Sequence, residues 1–360
     1  MDEATLKAFD KTRDFSNKSV HALCYAPHSS LYFDTSGNVR VCCHNYAHPA
    51  GNILKNSLDE IWSGEKIKIL RAALERNCFG PGCDFCCFQT AEGNFANAAM
   101  LRFDRFAISH DQLWPLQMEF SISNSCNLEC VMCRGQWSSA IRARREKLPP
   151  LPRLYSDAFF DSLRKYLPHL KRMRFLGGEP FLIAEYFKLW EAMIADGLTI
   201  PCHVTTNGTQ YNRNIERVMD HLPMSFAVSM DGATKATVES IRVNAVYEEV
   251  MENARRFREY ARVRKTDFAI TYCLMRLNWH EFGDFCELAE EWECSVALNT
   301  VVNPPEFGIY SLPISELRKI LEGMEKQAND LQSRLKRNKS VWFGELDRIR
   351  TKVRAGEKTR

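Results

Sequence analysis

The 360-residue chain has almost no excess of charge of one sign. Its 48 Lys and Arg stand against 45 Asp and Glu, a net charge of +3. A basic face that tracks a phosphate backbone is therefore not demanded, and nucleic acid is not the expected partner. Apolar runs of the roughly 20 residues that a spanning helix needs are missing. The first residues, MDEATLKAFDKTRDF, hold no apolar core of a secretion signal. No membrane partner is expected, and the expected location is the cytoplasm. Low-complexity stretches are lacking too, and none of the nine histidines belongs to a recognisable catalytic triad.

What is abundant is cysteine, with 14 residues unevenly placed. Seven lie between Cys24 and Cys87, three between Cys126 and Cys133, and four are scattered at Cys202, Cys273, Cys286 and Cys294. A chain this large, with 45% hydrophobic residues, builds a core without cross-links. Two tight clusters in a reducing compartment point to metal rather than disulfides.

The hydrophobic pattern changes near residue 114. Before it, Leu31 and Phe33, then Val39 and Val41, flank Thr35-Ser36-Gly37-Asn38, which predicts a β-hairpin. Asn56-Ser57 leads into a short capped helix, Leu58-Asp59-Glu60-Ile61-Trp62. A second helical run covers about 65–76, and Cys78 to Cys87, with Gly80, Pro81 and Gly82, reads as a loop. From Leu116 onward, strand-like runs alternate with amphipathic helices. The strands are expected at 116–123, 172–176, 201–206, 225–230, 268–274 and 295–301, and the clearest helices at 184–196 and 246–263. Six such repeats imply parallel strands with crossover helices, in a doubly wound sheet or a full or partial barrel. From Pro313 the pattern is two charged helices and a polar tail.

Directly after the first of these strands stands Ser123-Asn124-Ser125-Cys126-Asn127-Leu128-Glu129-Cys130-Val131-Met132-Cys133. Cubane iron–sulfur clusters are normally held by four thiolates. Three from one compact loop leave an iron open to another ligand. A zinc knuckle would need a fourth Cys or His close by, and the next His downstream is His169.

This C-x3-C-x2-C segment resembles the signature of the radical S-adenosylmethionine (SAM) superfamily. Further tetrapeptides at successive strand ends support the resemblance: Gly177-Gly178-Glu179-Pro180, Thr205-Thr206-Asn207-Gly208 and Ser229-Met230-Asp231-Gly232. It implies an α/β fold, a partial (β/α)6 TIM-like barrel. It also implies a [4Fe-4S] cluster on Cys126, Cys130 and Cys133 with SAM at the open iron, those three cysteines being the catalytic set. Met132, Gly177, Gly178, Glu179, Asn207, Ser229 and Asp231 are the implied SAM contacts, with Glu179 facing the ammonium group. Arg276 is a further candidate for the SAM carboxylate.

In the N-terminal cluster, Cys24 and Cys42 are 17 residues apart around a turn, and Cys83-x2-Cys86 follows. By spacing alone, zinc and iron–sulfur are both admissible. The pattern C-x12-G-x4-C, then Gly51-Asn52-Ile53 and Ser57 to Trp62, resembles the SPASM/twitch module that supplies auxiliary iron–sulfur clusters. Here that small irregular α+β module precedes the barrel, and the ending C-x2-C-x5-C-x3-C of a full SPASM domain is missing. The resemblance implies one auxiliary cluster, [4Fe-4S], on Cys24, Cys42, Cys83 and Cys86. Cys43, Cys78 and Cys87 remain as alternative ligands, with His44 and His48 nearby. The implied organisation is 1–113 auxiliary module, 114–311 barrel and 312–360 helical extension.

The function expected is reductive cleavage of SAM to a 5′-deoxyadenosyl radical that abstracts hydrogen from a peptide or a small sugar-like metabolite. An auxiliary cluster then helps to oxidise or cross-link that substrate. A flavodoxin or ferredoxin is the expected electron donor, and the basic run Arg142, Arg144, Arg145, Lys147 is one place to meet it. Residues 1–20 are too few for a winged-helix leader-binding domain. The alternatives are an epimerase with Cys202 or Cys273 as hydrogen donor, and a non-catalytic iron–sulfur scaffold.

Overall fold

The computed structural model describes residues 1–91, 93, 95 and 98–358. Two compact units are formed. Unit 1 comprises Met1–Ser123, Leu151–Gly177 and Glu185–Cys202, and unit 2 comprises Asn124–Pro150, Gly178–Ala184 and His203–Arg360.

Unit 1 is built on strands β1 (Ser30–Asp34), β2 (Asn38–Arg40), β3 (Gly51–Asn52), β4 (Gln117–Ser121) and β5 (Arg172–Phe175), in the order β3-β2-β1-β4-β5. The hairpin forms as expected, with Tyr32 opposite Arg40 and Phe33 opposite Val39. Its first strand then does something no local pattern predicts: β1 pairs in parallel with β4. The module and the first barrel strand thus share one sheet. Register places Phe33 beside Phe120 and Phe120 beside Phe175, so three aromatic rings line up across three strands. Their centroids are 5.1 and 5.6 Å apart, within the range of favourable stacking. The helix Ala184–Ala195 covers them with Tyr186 and Trp190. The helix Leu58–Trp62 begins with a complete capping box between Ser57 and Glu60.

The segment Cys78 to Cys87 corrects the expectation of a loop. Only its first half is irregular, and a helix runs from Asp84 to Ala91. Gly80, Pro81 and Gly82 mark the turn, and an acidic residue, Asp84, opens the helix where the macrodipole favours it.

Unit 2 holds β6 (Cys202–Thr206, from its second residue), β7 (Met224–Ser229), β8 (Phe268–Leu274) and β9 (Ser295–Thr300), in that order. β7 with β8 and β8 with β9 are parallel. The crossover helix Tyr247–Arg264 buries Val250, Ala254, Phe257 and Ala261, an i, i+4, i+7, i+11 stripe. Two helices, Ile314–Arg334 and Lys339–Lys358, close the chain. Asn338 between them accepts from the Val296 amide at 2.8 Å and donates to the Cys294 carbonyl at 3.0 Å, pinning the pair to the start of β9. The arrangement is an open, mostly parallel α/β fold, as a partial barrel is. Among the described residues no helix is long and apolar enough to cross a membrane.

Candidate active site and auxiliary thiol cavity

The loop that follows β4 has little regular structure, yet its main chain is thoroughly tied. Asn124 donates to the Gly135 carbonyl at 2.7 Å. The Ser139 hydroxyl accepts from the Cys126 amide and donates to its carbonyl, both at 3.1 Å. Ser138 donates to the Leu128 carbonyl at 2.7 Å. The Glu129 and Val131 amides donate to the carbonyls of Val243 and Ile241 at 3.0 and 2.9 Å. The loop is therefore shaped by the protein itself, which is the preorganisation a bound group needs. Much of the basic run serves the same end: Arg144 pairs with Glu129 at 3.1 Å and Arg145 donates to the Glu129 carbonyl at 3.3 Å.

Cys126, Cys130 and Cys133 are all free thiols. Burial pushes Cys126 up to about 11 and Cys133 up to about 12, with neighbouring cysteines adding to the effect. Cys130, itself buried, is raised as well. Among the described residues no group of three His, Cys, Asp or Glu side chains is spaced to hold a lone metal ion. The donor set is instead three soft sulfurs on one loop, the chemistry an iron–sulfur core takes.

Of the other expected residues, Gly178, Glu179 and Asn207 approach this loop. Gly177 has φ +115°, a conformation L side chains rarely adopt. At Gly178 a Cβ would stand 2.2 Å from the Ser125 carbonyl oxygen, so only glycine lets the two segments approach. Glu179 has no exposed surface. Its carboxyl accepts from the Thr206 hydroxyl and the Asn207 amide, both at 2.7 Å, and from the Phe181 amide at 3.2 Å. Burial outweighs these donors and pushes the carboxyl up to about 7. Asn207 in turn directs its side-chain amide at the Cys126 sulfur, 3.9 Å away. Met132 packs with Cys273 and Phe307 against Ile241, Met275 and Val301. Ser229 is half-buried at the end of β7. Asp231 is fully covered, accepts from the Cys273 amide at 2.6 Å and pairs with Arg242 at 2.6 Å.

Arg242 escaped the sequence reading. An arginine after a helix reads as a solvated charge, and nothing in Ser240-Ile241-Arg242-Val243 marks it otherwise. Arg276 shows the reverse: it is exposed, and its main-chain amide donates to Phe307 at 3.0 Å. Cys202 is sealed and donates to the Ile200 carbonyl at 3.3 Å; Cys286 and Cys294 are buried, and Cys273 is half-buried.

In unit 1, Cys24, Cys42, Cys83 and Cys86 line a single cavity walled by Leu70, Leu74, Phe79 and Phe85. The helix from Asp84 explains how two of them reach it. The Cys87 amide donates to the Cys83 carbonyl at 3.0 Å, so residues 83 and 86 lie one turn apart on one face, while Cys87 is exposed. Burial raises the thiols of Cys24, Cys42 and Cys83, and takes Cys86 to about 12. Cys43, in the turn that follows Cys42, does not line the cavity. Its sulfur accepts from Arg102 at 3.3 Å. Burial alone would raise this thiol, but the Arg102 guanidinium and His44 bring it down to about 7. Arg102 continues to Glu119 at 3.1 Å, and Glu119 to Arg174 at 2.9 Å. Cys78 is exposed. His44 stacks on Phe85 with centroids 4.1 Å apart, and His48 keeps a buried Nε2 without a hydrogen-bond partner.

The sequence pattern of the radical SAM superfamily matches residues 120–289, and that of the SPASM iron–sulfur cluster-binding domain matches residues 24–92. The radical SAM match takes in the three-cysteine loop, and such a domain implies a [4Fe-4S] cluster and SAM. The SPASM match takes in the cavity cysteines, lies ahead of the radical SAM match, and implies an auxiliary iron–sulfur site. No curated protein matches the chain. Among solved structures, SuiB of Streptococcus suis bound to its precursor peptide SuiA is similar at 15% identity and a TM-score of 0.41. That match covers 70% of this chain and 60% of SuiB, so the chain spans well under two thirds of that protein. The protein anSMEcpe with bound AdoMet and the Kp18Cys peptide is similar at 18% identity and a TM-score of 0.44, over 62% of each chain.

Proposed function

We propose that the protein reductively cleaves SAM on a cluster ligated by Cys126, Cys130 and Cys133 and uses the resulting radical to oxidise or cross-link a peptide or a small sugar-like metabolite. The observation that carries this reading is the self-shaped loop with three free, partly covered thiols and no fourth in the loop. Three sulfurs complete three irons of a cubane and leave the fourth for SAM. When bound, the reduced cluster and SAM supply a 5′-deoxyadenosyl radical that takes a hydrogen atom from the substrate, leaving methionine and 5′-deoxyadenosine.

The chain's own residues do the rest. Gly177 and Gly178 let the backbone reach the cysteine loop, and Met132, Asn207 and Ser229 form the remaining assigned surface for SAM. Glu179 and Asp231, both covered, act there by holding Asn207 and Arg242 in place. Glu179 near neutrality in the metal-free protein becomes charged readily beside a cation. Cys24, Cys42, Cys83 and Cys86 would hold the auxiliary cluster, and with it an acceptor for a second electron from the substrate. In the organisation this implies, 1–113 is the auxiliary module, 114–311 the barrel and 312–360 the helical extension, and a cytoplasmic flavodoxin or ferredoxin supplies the first electron.

The test is anaerobic incubation with SAM and dithionite. Methionine and 5′-deoxyadenosine in equal amounts are expected, and their absence from a fully loaded protein would leave a non-catalytic scaffold. A second reading, epimerisation, is favoured only by Cys273, the one of its two donor candidates with exposed surface. In that case Cys273→Ala would abolish the product while 5′-deoxyadenosine still formed.

A further inference from the structure

Glu129 and Val131 donate their amides to Val243 and Ile241, so the chain around Arg242 runs alongside the chain around Cys130. The residue between the first two is Cys130, and the residue between the second two is Arg242. This pairing delivers a guanidinium to one thiol of the cysteine loop, with Nη1 3.9 Å from the Cys130 sulfur. The arginine is 6% exposed. Its Nη2 meets the Asp231 carboxylate at 2.6 Å, and Asp231 has no exposed surface. Its Nε is buried and has no hydrogen-bond partner. A cation removed from water at such cost is retained where negative charge offsets it. Asp231 offsets one charge, which leaves the pair nearly neutral while the cysteines are protonated thiols.

Loading the site changes that balance. A cubane core of charge +2 on three thiolates carries −1, and one-electron reduction takes it to −2. A fixed cation beside one thiolate stabilises the reduced form more than the oxidised one. We infer that Arg242, held by Asp231, is a positioning residue that sets the reduction potential of the SAM-binding cluster through the sulfur of Cys130. The inference rests on Cys126, Cys130 and Cys133 being the ligands. Net charge and hydrogen bonds to sulfur are established levers on such potentials.

The opposite signs of the two side chains make the test specific. The full chain is reconstituted anaerobically, iron and sulfide are counted, and a redox titration follows the reduced-cluster spin signal that added SAM perturbs. Arg242→Gln is expected to lower the ratio of reduced to oxidised cluster about tenfold at the wild-type midpoint, a fall of about 59 mV for one electron. Arg242→Lys restores part of it. Asp231→Asn, which frees the guanidinium from its partner, shifts the midpoint upward. A merely structural pair would instead cost iron content in both variants and leave the midpoint of the loaded fraction where it was. That result overturns the inference, as does a downward shift in Asp231→Asn. If Arg242→Gln fails to load, the Lys and Asn variants decide by the same criteria. Failure of the underlying reading looks different: Cys126→Ala/Cys130→Ala/Cys133→Ala would then keep all its iron.

Discussion

Gly178→Ala probes how closely the strand-end loops and the cysteine loop are fitted. The added methyl would sit 2.2 Å from the Ser125 carbonyl oxygen, 2.6 Å from its carbon and 2.7 Å from the Asn124 carbonyl carbon. All three are main-chain atoms, so no side chain can rotate away. Relief requires the two backbones to part, which also stretches the 2.7 Å bond from the Glu179 amide to the Ser125 carbonyl. Overpacking costs about 1–3 kcal/mol and the weakened hydrogen bond about 1, so a loss of about 2–4 kcal/mol is expected. The next residue after Ser125 is Cys126, hence the displacement is passed to the first thiol. Melting of the metal-free variant should show the stability loss. Iron counting after anaerobic reconstitution should show depletion of the SAM-responsive cluster with the auxiliary iron retained. Gly344→Ala is the control, because its added methyl meets nothing within 4 Å in the helix Lys339–Lys358, and it should stabilise by about 0.5–1 kcal/mol. Wild-type melting and full iron in Gly178→Ala would refute the close-approach argument.

Further outcomes are expected elsewhere. Cys42→Ser should lose the auxiliary iron while Cys43→Ser keeps it, since only Cys42 lines the cavity; equal losses would contradict this division. His28 is 5% exposed and its Nε2, though 3.5 Å from the Glu75 carboxylate, makes no hydrogen bond. Burial takes the imidazole down to about 4. Between pH 6.5 and 4 the unfolded chain therefore binds a proton that the folded one refuses, and stability falls with falling pH by about 3 kcal/mol from this group. Denaturant unfolding of His28→Asn across that window should show a correspondingly flatter pH dependence than the parent, and parallel curves would count against it. Ser57→Ala removes half of the capping box at Leu58–Trp62. It should cost about 1 kcal/mol, readable as a lower denaturation midpoint at unchanged slope.

The parts of this protein that local pattern determines were legible. The strands from Gln117 to Thr300 alternate with amphipathic helices, and their periods differ enough to be told apart. The cysteine spacing carries its own chemistry, because C-x3-C-x2-C places three sulfurs on one short loop. The helix from Asp84 was hidden by Gly80, Pro81 and Gly82, which punctuate the chain so strongly that the short run after them reads as more loop. The parallel pairing of Ser30–Asp34 with Gln117–Ser121 joins segments far apart in sequence, and no window contains both. Long-range charge was the least legible feature. Arg242, the partner of Asp231, and the set Cys43, Arg102, Glu119 and Arg174 look like ordinary surface charges or a spare thiol until the fold places them together. Glu179 was legible as a site residue, but not as one whose carboxyl is covered and used to hold the Thr206–Asn207 turn.

The central claim is a radical cluster on Cys126, Cys130 and Cys133 alongside a separate auxiliary cluster, and counting iron and sulfide tests it most directly. Anaerobically reconstituted wild type should bind about eight of each, as two cubanes require. Cys126→Ala/Cys130→Ala/Cys133→Ala should bind about four and form no 5′-deoxyadenosine from SAM and dithionite. A triple variant that keeps all its iron, or that still cleaves SAM, would contradict the account.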